Sequence, residues 1–158
     1  MSATRQDVID ELTSVRGDLE NLVKSAPADA WANPAHSDGW DARQLLSHIA
    51  STGGVANFTL MLARGPAGAA TAGGSYDIDQ FNAQQVAMRA ERTVAEILDE
   101  LRANLARDLA AVEKAPDELL SKHFKTPWDV EGSVAEVIIE SLRRHFRGHL
   151  SELAAALQ

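Results

Sequence analysis

Apolar residues recur at three- and four-residue intervals along most of this sequence, the spacing that places them on one face of an α-helix. The intervals predict a first helix from about Thr4 to Lys24. Its apolar face carries Val8, Leu12, Val15, Leu19, Leu22 and Val23. No stretch shows the convincing two-residue alternation of a β-strand. The pattern therefore predicts an all-α fold in which each helix buries one face.

Capping signals and helix breakers divide the rest of the chain into three more long helices and a shorter one. The predicted helices cover 42–64, a shorter one from Asp77 or Asp79 to Arg89, about 93–113, and 134–157. Three capping boxes, in which Gln or Glu follows the capping residue by three positions, support these starts. They are Asp41 with Gln44, Thr93 with Glu96, and Ser133 with Glu136.

The connecting segments lack helical spacing. Residues 65–75 are rich in Gly and Ala and are predicted to be a mobile connection, and 121–132 is predicted to be a loop after a single turn at 116–120. With 158 residues, no internal repeat and no linker, we expect one domain over residues 1–158. Four long helices with an extra short helix indicate a four-helix bundle.

Composition argues against several classes of function. The net charge of −8 argues against a nucleic-acid partner, because phosphate binding needs clustered cations. The chain has no cysteine, so His, Asp or Glu must hold any metal, which suits zinc, nickel, iron or manganese. No apolar run approaches the length of a bilayer span and the N-terminus is polar. We therefore expect no membrane association and a cytoplasmic location.

Three of the five histidines fall on predicted inward helix faces. The apolar spacing of the last helix continues through Ser141 to His145 and His149, and His48 replaces an apolar residue on the second helix. Buried polar groups are costly unless they are satisfied. The three side chains could each be a hydrogen-bonded core histidine, or together they could form one three-histidine metal site. Spacing alone leaves both readings open.

The remaining polar candidates have simpler interpretations. His36 and His123 lie in loops that contain proline, and we expect both at the surface. Arg143, Arg144 and Arg147 surround the histidine pair and could hold an anionic substrate. A solvated helix face is the favoured interpretation of these arginines, because exposed charges usually have this role.

Three segments together resemble a known family. "GWDARQLLSHIASTGG" resembles the start of the second helix in DinB-like four-helix-bundle proteins. The matching residues are Trp40, Leu45, Leu46, His48, Ile49 and Ala50. The segment from "YDIDQFNAQQ" to 113, with Phe81-Asn82, is similar to the actinobacterial branch that includes the N-terminal domain of mycothiol-dependent maleylpyruvate isomerases. "GSVAEVIIESLRRHFRGHLSEL" resembles the family's final helix, whose ligands lie four residues apart.

The resemblance implies a DinB-like bundle in which His48, His145 and His149 bind a divalent metal ion, zinc by first expectation and nickel as the alternative. It also implies a low-molecular-weight thiol of the mycothiol type, and a homodimer as one possible assembly. Two departures are visible. The isomerase branch often has Glu where this chain has His145. The isomerases also carry a further C-terminal domain, whereas this sequence ends at Gln158, which argues against activity on maleylpyruvate.

Two classes of function follow as hypotheses. The first is a metal-dependent thiol transferase, isomerase or hydrolase that acts on a small molecule. The second is a non-catalytic metal-binding bundle with a stress-response or ligand-sequestering role. The sequence contains neither H-E-x-x-H nor G-x-S-x-G, so it assigns no catalytic residue of a zincin or serine hydrolase.

Overall fold

A computed structural model describes residues 2–66 and 77–158. The expectation of a mobile connection over 65–75 falls almost entirely outside these residues. The described helices are α1 (Arg5–Ser25), a 3₁₀ turn (Ala28–Ala32), α2 (Ala42–Ser51), α3 (Val55–Arg64), α4 (Ile78–Ala87), α5 (Val94–Lys114), α6 (Asp117–Ser121), α7 (Val134–Ser141), a π-helical segment (Leu142–Arg147) and α8 (Gly148–Ala156). Strands β1 (His123–Lys125) and β2 (Glu131–Ser133) complete the chain. The predicted all-α fold is confirmed.

The bundle has four long members. These are α1, the α2–α3 pair, α5, and the segment from α7 through α8, while α4 lies against α2. α5 packs on α1, α2 and α3, and the last member packs on the same three helices from the other side. Four of the six predicted inward residues of α1 (Val8, Leu12, Val15 and Leu19) are buried in the common core, and Leu22 and Val23 are partly buried against it. Helical spacing therefore identified the face that holds the bundle together.

All three predicted capping boxes are present. Asp41, Thr93 and Ser133 each accept a hydrogen bond from the backbone N–H three residues later, and that later side chain accepts from the capping backbone in return. A fourth box, Thr4 with Asp7, opens α1. These local contacts satisfy donors that the first helical turn leaves unpaired, which explains why the observed helix starts match the sequence signals.

The helix predicted over 42–64, with a weak point at Gly53-Gly54 where it could kink or approach a neighbour closely, is divided at 52–54 into α2 and α3. Gly54 has a φ of 92°, a left-handed conformation that glycine adopts without strain. The N-terminus of α3 is instead capped from another helix: Asp108 on α5 accepts from the N–H of Asn57 at 2.8 Å and of Ala56 at 3.3 Å. A Cβ at Gly53 would lie 2.9 Å from the Asn104 Cβ, so the break also permits close approach of α5.

The prediction of a loop over 121–132 is wrong. Three residues on each side form an antiparallel hairpin with His123 opposite Ser133 and Lys125 opposite Glu131. Asp129, in the turn, has a φ of 65°. Strands of three residues are too short to reveal a two-residue alternation, so periodicity could not identify them. The hairpin leads directly into α7 and fixes where the last bundle member begins.

The apolar segment 42–64 passes a length and composition test for membrane spans, with a mean hydropathy of 1.2. It is longer and more apolar than we expected of any run in this sequence. Half of its most apolar 18-residue stretch is buried inside the protein, and the helix is interrupted at 52–54. These properties are typical of a core segment, and the segment is weak evidence for a membrane span.

Candidate metal centre

The three predicted histidines converge at one place in the bundle. His48 projects from α2, His145 from the π-helical segment and His149 from the first turn of α8. The ring centroids are 5.1 Å apart for His48 and His145, 4.9 Å for His48 and His149, and 4.6 Å for His145 and His149. One potential ligand nitrogen from each ring lies within 4.8 Å of the other two. We call these three side chains the histidine triad.

A π-helical turn sets the relative direction of two members of the triad. Residues Leu142–Arg147 follow the i→i+5 hydrogen-bond pattern, which takes up one more residue than an α-helical turn. His145 lies inside this turn and His149 just after it, while Leu142 and Phe146 remain buried on the core side. The helix predicted over 134–157 is present, with this π-helical turn in its middle, which the prediction did not include. Single π turns occur mostly as interruptions of α-helices and frequently at functional sites.

Burial keeps two of the imidazoles neutral. His48 is only 3% exposed, and burial, followed by the neighbouring histidines, lowers its pKa to about 3. Burial and His149 lower the pKa of His145 to about 4. Both rings are therefore uncharged at neutral pH, the state in which a ring nitrogen has a lone pair available for a metal.

The hydrogen-bond partners differ among the three histidines of the triad. The buried Nδ1 of His48 has no hydrogen-bond partner within residues 2–66 and 77–158. His145 Nε2 lies 2.9 Å from the hydroxyl of Thr52, and His149 Nδ1 lies 2.7 Å from a carboxylate oxygen of Glu152. A hydrogen-bonded core histidine would not leave a buried nitrogen unpaired, since this costs about 1–3 kcal/mol. His48 therefore needs another explanation.

His36 was expected at the surface, and this prediction is wrong. Its side chain is only 15% exposed, stacks on Trp40 with ring centroids 5.2 Å apart, and lies 5.4 Å from the His149 ring. The loop brings it there because the N–H groups of residues 35 and 36 both donate to the Trp40 carbonyl. His123, the other loop histidine, is 71% exposed as predicted.

His36 belongs to a second possible ligand group with His149 and Glu152. Its Nδ1 accepts a hydrogen bond of 3.1 Å from the backbone N–H of Asp38. A neutral His36 therefore carries its proton on Nε2, which faces Glu152 at 3.9 Å. This tautomer has no lone pair to offer in that direction, so the histidine triad is the better metal-binding arrangement.

The three arginines near the histidine pair, Arg143, Arg144 and Arg147, form ion pairs with carboxylates outside the triad. Arg147 donates to Glu11 at 2.7 Å and to Asp18 at 3.0 Å, both on α1, and Arg143 lies 3.8 Å from Glu11. Arg144 pairs with Glu140 on its own helix at 2.6 Å. These ion pairs bind the last helix to α1 and to itself, as expected for a solvated helix face. They leave no arginine of this group without a carboxylate partner.

The family model described as the mycothiol maleylpyruvate isomerase N-terminal domain matches residues 12–157. The chain belongs to this family. The family is part of the DinB-like superfamily, so the resemblance that the sequence motifs indicated is confirmed. A comparison with curated proteins found no match, and neither did a comparison with solved structures.

Proposed function

We propose that this chain binds one divalent metal ion, zinc in the first instance and nickel as the alternative, through His48, His145 and His149. The metal then serves a reaction of a low-molecular-weight thiol of the mycothiol type with a small molecule, either a transfer or an isomerisation. One observation carries the proposal: three inward imidazoles, two of them held neutral by burial, lie with ligand nitrogens within 4.8 Å of one another.

The donor set fits a zinc or nickel ion. Imidazole nitrogen suits zinc, copper, iron and nickel, and three histidines leave a coordination position for a substrate. The unpaired buried Nδ1 of His48 is a polar atom that metal binding nearby would help to explain. Because the triad contributes no negative charge, a bound ion would keep its full positive charge and would stabilise a thiolate at neutral pH.

The protein's own residues prepare the site in three ways. Burial of His48 and His145 excludes water and keeps both rings unprotonated. Trp40 covers His48, with ring centroids 5.1 Å apart, and we infer that it shields the centre from solvent as well as anchoring the start of α2. Glu152 accepts a hydrogen bond from His149 Nδ1–H, which leaves the lone pair of Nε2 in this ring free for a metal.

The proposal of a thiol is based on the family of the chain and not on a pocket. The family is described by its mycothiol-dependent member, and membership supports a substrate or co-substrate of this chemical class. We do not extend the proposal to maleylpyruvate. In the second candidate function, the bundle binds metal without catalysis, and the same experiment distinguishes the two.

Cobalt substitution tests the proposal. The protein is purified without chelators, its metal content is measured, and Co²⁺ is loaded in place of the native ion. Addition of mycothiol is expected to produce a new near-ultraviolet sulfur-to-cobalt charge-transfer band, while the same molecule with a hydroxyl in place of the thiol does not. His48→Leu should abolish both metal binding and the band.

Each remaining outcome is decisive. Protein that binds Co²⁺ but shows no spectral change with any thiol supports the non-catalytic candidate. Protein that carries no metal and takes up neither zinc, nickel nor cobalt would falsify the metal proposal as a whole.

A further inference from the structure

Two side chains outside the histidine triad contact ring nitrogens of His145 and His149. Thr52, at the end of α2, lies 2.9 Å from His145 Nε2, and Glu152, one turn after His149, lies 2.7 Å from His149 Nδ1. The two contacts involve different ring nitrogens. A neutral imidazole has one N–H and one lone pair, so each contact determines which nitrogen remains for a ligand.

The role of Thr52 follows from its other contacts. The same hydroxyl lies 3.1 Å from the carbonyl oxygens of His48 and Ile49, and carbonyl oxygens only accept hydrogen bonds. The hydroxyl can donate its one proton to either of these carbonyls at the end of α2, which leaves its oxygen as an acceptor for His145. In that arrangement His145 Nε2 carries the proton and Nδ1 has the lone pair.

Glu152 acts on the opposite ring nitrogen, Nδ1 of His149. An ionised carboxylate only accepts, so His149 Nδ1 donates to it and Nε2 has the lone pair. The 42% exposed side chain of Glu152 is kept near His149 by the helix itself, since residues three apart lie on the same face. His36 Nε2 lies 3.9 Å from the same carboxylate oxygen.

We propose that Thr52 and Glu152 are positioning residues that fix opposite tautomers of His145 and His149, so that the first ring binds metal through Nδ1 and the second through Nε2. The inference rests on the proposed metal site and specifies its geometry of approach. Groups that hold the far nitrogen of a metal-binding histidine fix its tautomer and orientation, and their loss typically weakens metal affinity 10–100-fold.

Nitrogen-15 NMR of the metal-free protein at pH 8 tests the tautomers directly. Two-bond nitrogen–proton correlations are expected to show the Nε2–H form for His145 and the Nδ1–H form for His149, with the rings assigned from His145→Asn and His149→Asn. Detection of the same tautomer in both rings would overturn the inference. This measurement uses the unaltered protein, so it does not depend on whether any substituted protein folds.

Zinc affinity, measured by competition with a chelator, tests the consequence. Thr52→Val and Glu152→Ala are each expected to weaken zinc binding about 10–100-fold. Thr52→Ser and Glu152→Gln keep an acceptor at the same position and should stay within about threefold of the wild type. Thr13→Val and Glu140→Gln are matched controls away from the triad: Thr13 bonds the carbonyl of Ile9 and Glu140 pairs with Arg144, and neither change should alter the affinity.

The two levels of failure are distinguishable. A wild-type protein that binds no zinc overturns the proposed function together with this inference. If the wild type binds zinc and Thr52→Val and Glu152→Ala bind it equally tightly, only the positioning role is overturned. Circular dichroism of the metal-free variants confirms that weakened binding does not result from loss of the fold.

Discussion

Burial of His48 makes the metal-free protein sensitive to acid, and replacing this residue should reduce that sensitivity. The pKa of His48 in the folded protein is about 3, against an ordinary value of 6.5. Between these two pH values the unfolded chain binds a proton that the folded chain does not. The free energy of unfolding therefore falls as pH drops from about 6.5 towards 3, and this contribution is fully present only at higher pH.

The size of the effect follows from the pKa difference. At pH 5 the histidine of the unfolded chain is about 1.5 pH units below its pKa, while folded His48 is still neutral, which corresponds to a loss of about 2 kcal/mol. His145, with a folded pKa of about 4, contributes a second loss of about the same size. His48→Leu removes the first contribution and leaves the second. At pH 8 it should also stabilise the metal-free protein by about 1–3 kcal/mol, because the unpaired Nδ1 is gone.

Urea unfolding of the metal-free protein at pH 8 and pH 5 measures both effects. Wild-type protein is expected to lose about 2 kcal/mol more than His48→Leu between the two conditions. His123→Gln is the matched control: this histidine is 71% exposed, and its replacement should leave the pH dependence unchanged. Parallel pH dependences for wild type and His48→Leu would refute the reasoning, since they would mean that His48 is not held neutral by burial.

Three further predictions concern the surrounding bundle. Burial raises the pKa of Asp108 to about 6, so below that pH its protonated form is favoured in the folded state. When the pH is lowered from 7 to 4.5, urea unfolding should therefore show that the free energy of unfolding of the wild type rises by about 2 kcal/mol relative to that of Asp108→Asn. Thr59 has a buried hydroxyl without a partner in the described part of the chain, so Thr59→Val should stabilise the protein by about 1 kcal/mol and raise its thermal midpoint; a lower midpoint would show that the hydroxyl is satisfied. Arg147→Ala removes the ion pairs to Glu11 and Asp18 and should cost about 1 kcal/mol in the same unfolding assay, while the zinc affinity stays the same; a loss of zinc binding would show that Arg147 supports the metal centre.

The helix starts could be predicted because they depend on contacts between residues three apart. Thr93 with Glu96 is such a pair, and its signal is complete within four residues of sequence. The break before α3 could not be predicted in this way, although two glycines marked a weak point. The group that caps α3, Asp108, comes from another helix about 50 residues away, and only the folded bundle brings it to Ala56 and Asn57.

The candidate site shows the same division. The inward directions of His48, His145 and His149 follow from helical spacing, and their convergence could be anticipated because neighbouring positions are apolar. The π-helical turn that orients the last two rings depends on packing of the whole final segment, and a period of 3.6 residues does not describe it. His36 was missed because its position depends on a loop held by backbone hydrogen bonds to Trp40.

The three histidines occupy inward helix positions where burial would favour apolar residues. An apolar residue at position 48 would suit its surroundings better, since the position is 3% exposed and one ring nitrogen is unpaired. A residue that costs stability in the metal-free fold, beside two others of the same kind, is the type of inconsistency that functional sites introduce. The stabilisation expected for His48→Leu and the loss of metal binding expected for the same variant are two consequences of this conflict.

X-ray absorption spectroscopy of the zinc-loaded protein tests the central claim most directly, because it counts the imidazoles around the metal. One zinc per chain with three imidazole nitrogens at about 2.0–2.1 Å is the predicted result, and His48→Leu should lower that count or prevent loading. Zinc bound with fewer than three imidazoles, an unchanged spectrum for His48→Leu, or no zinc bound to the wild-type chain would contradict the claim that His48, His145 and His149 form one metal site.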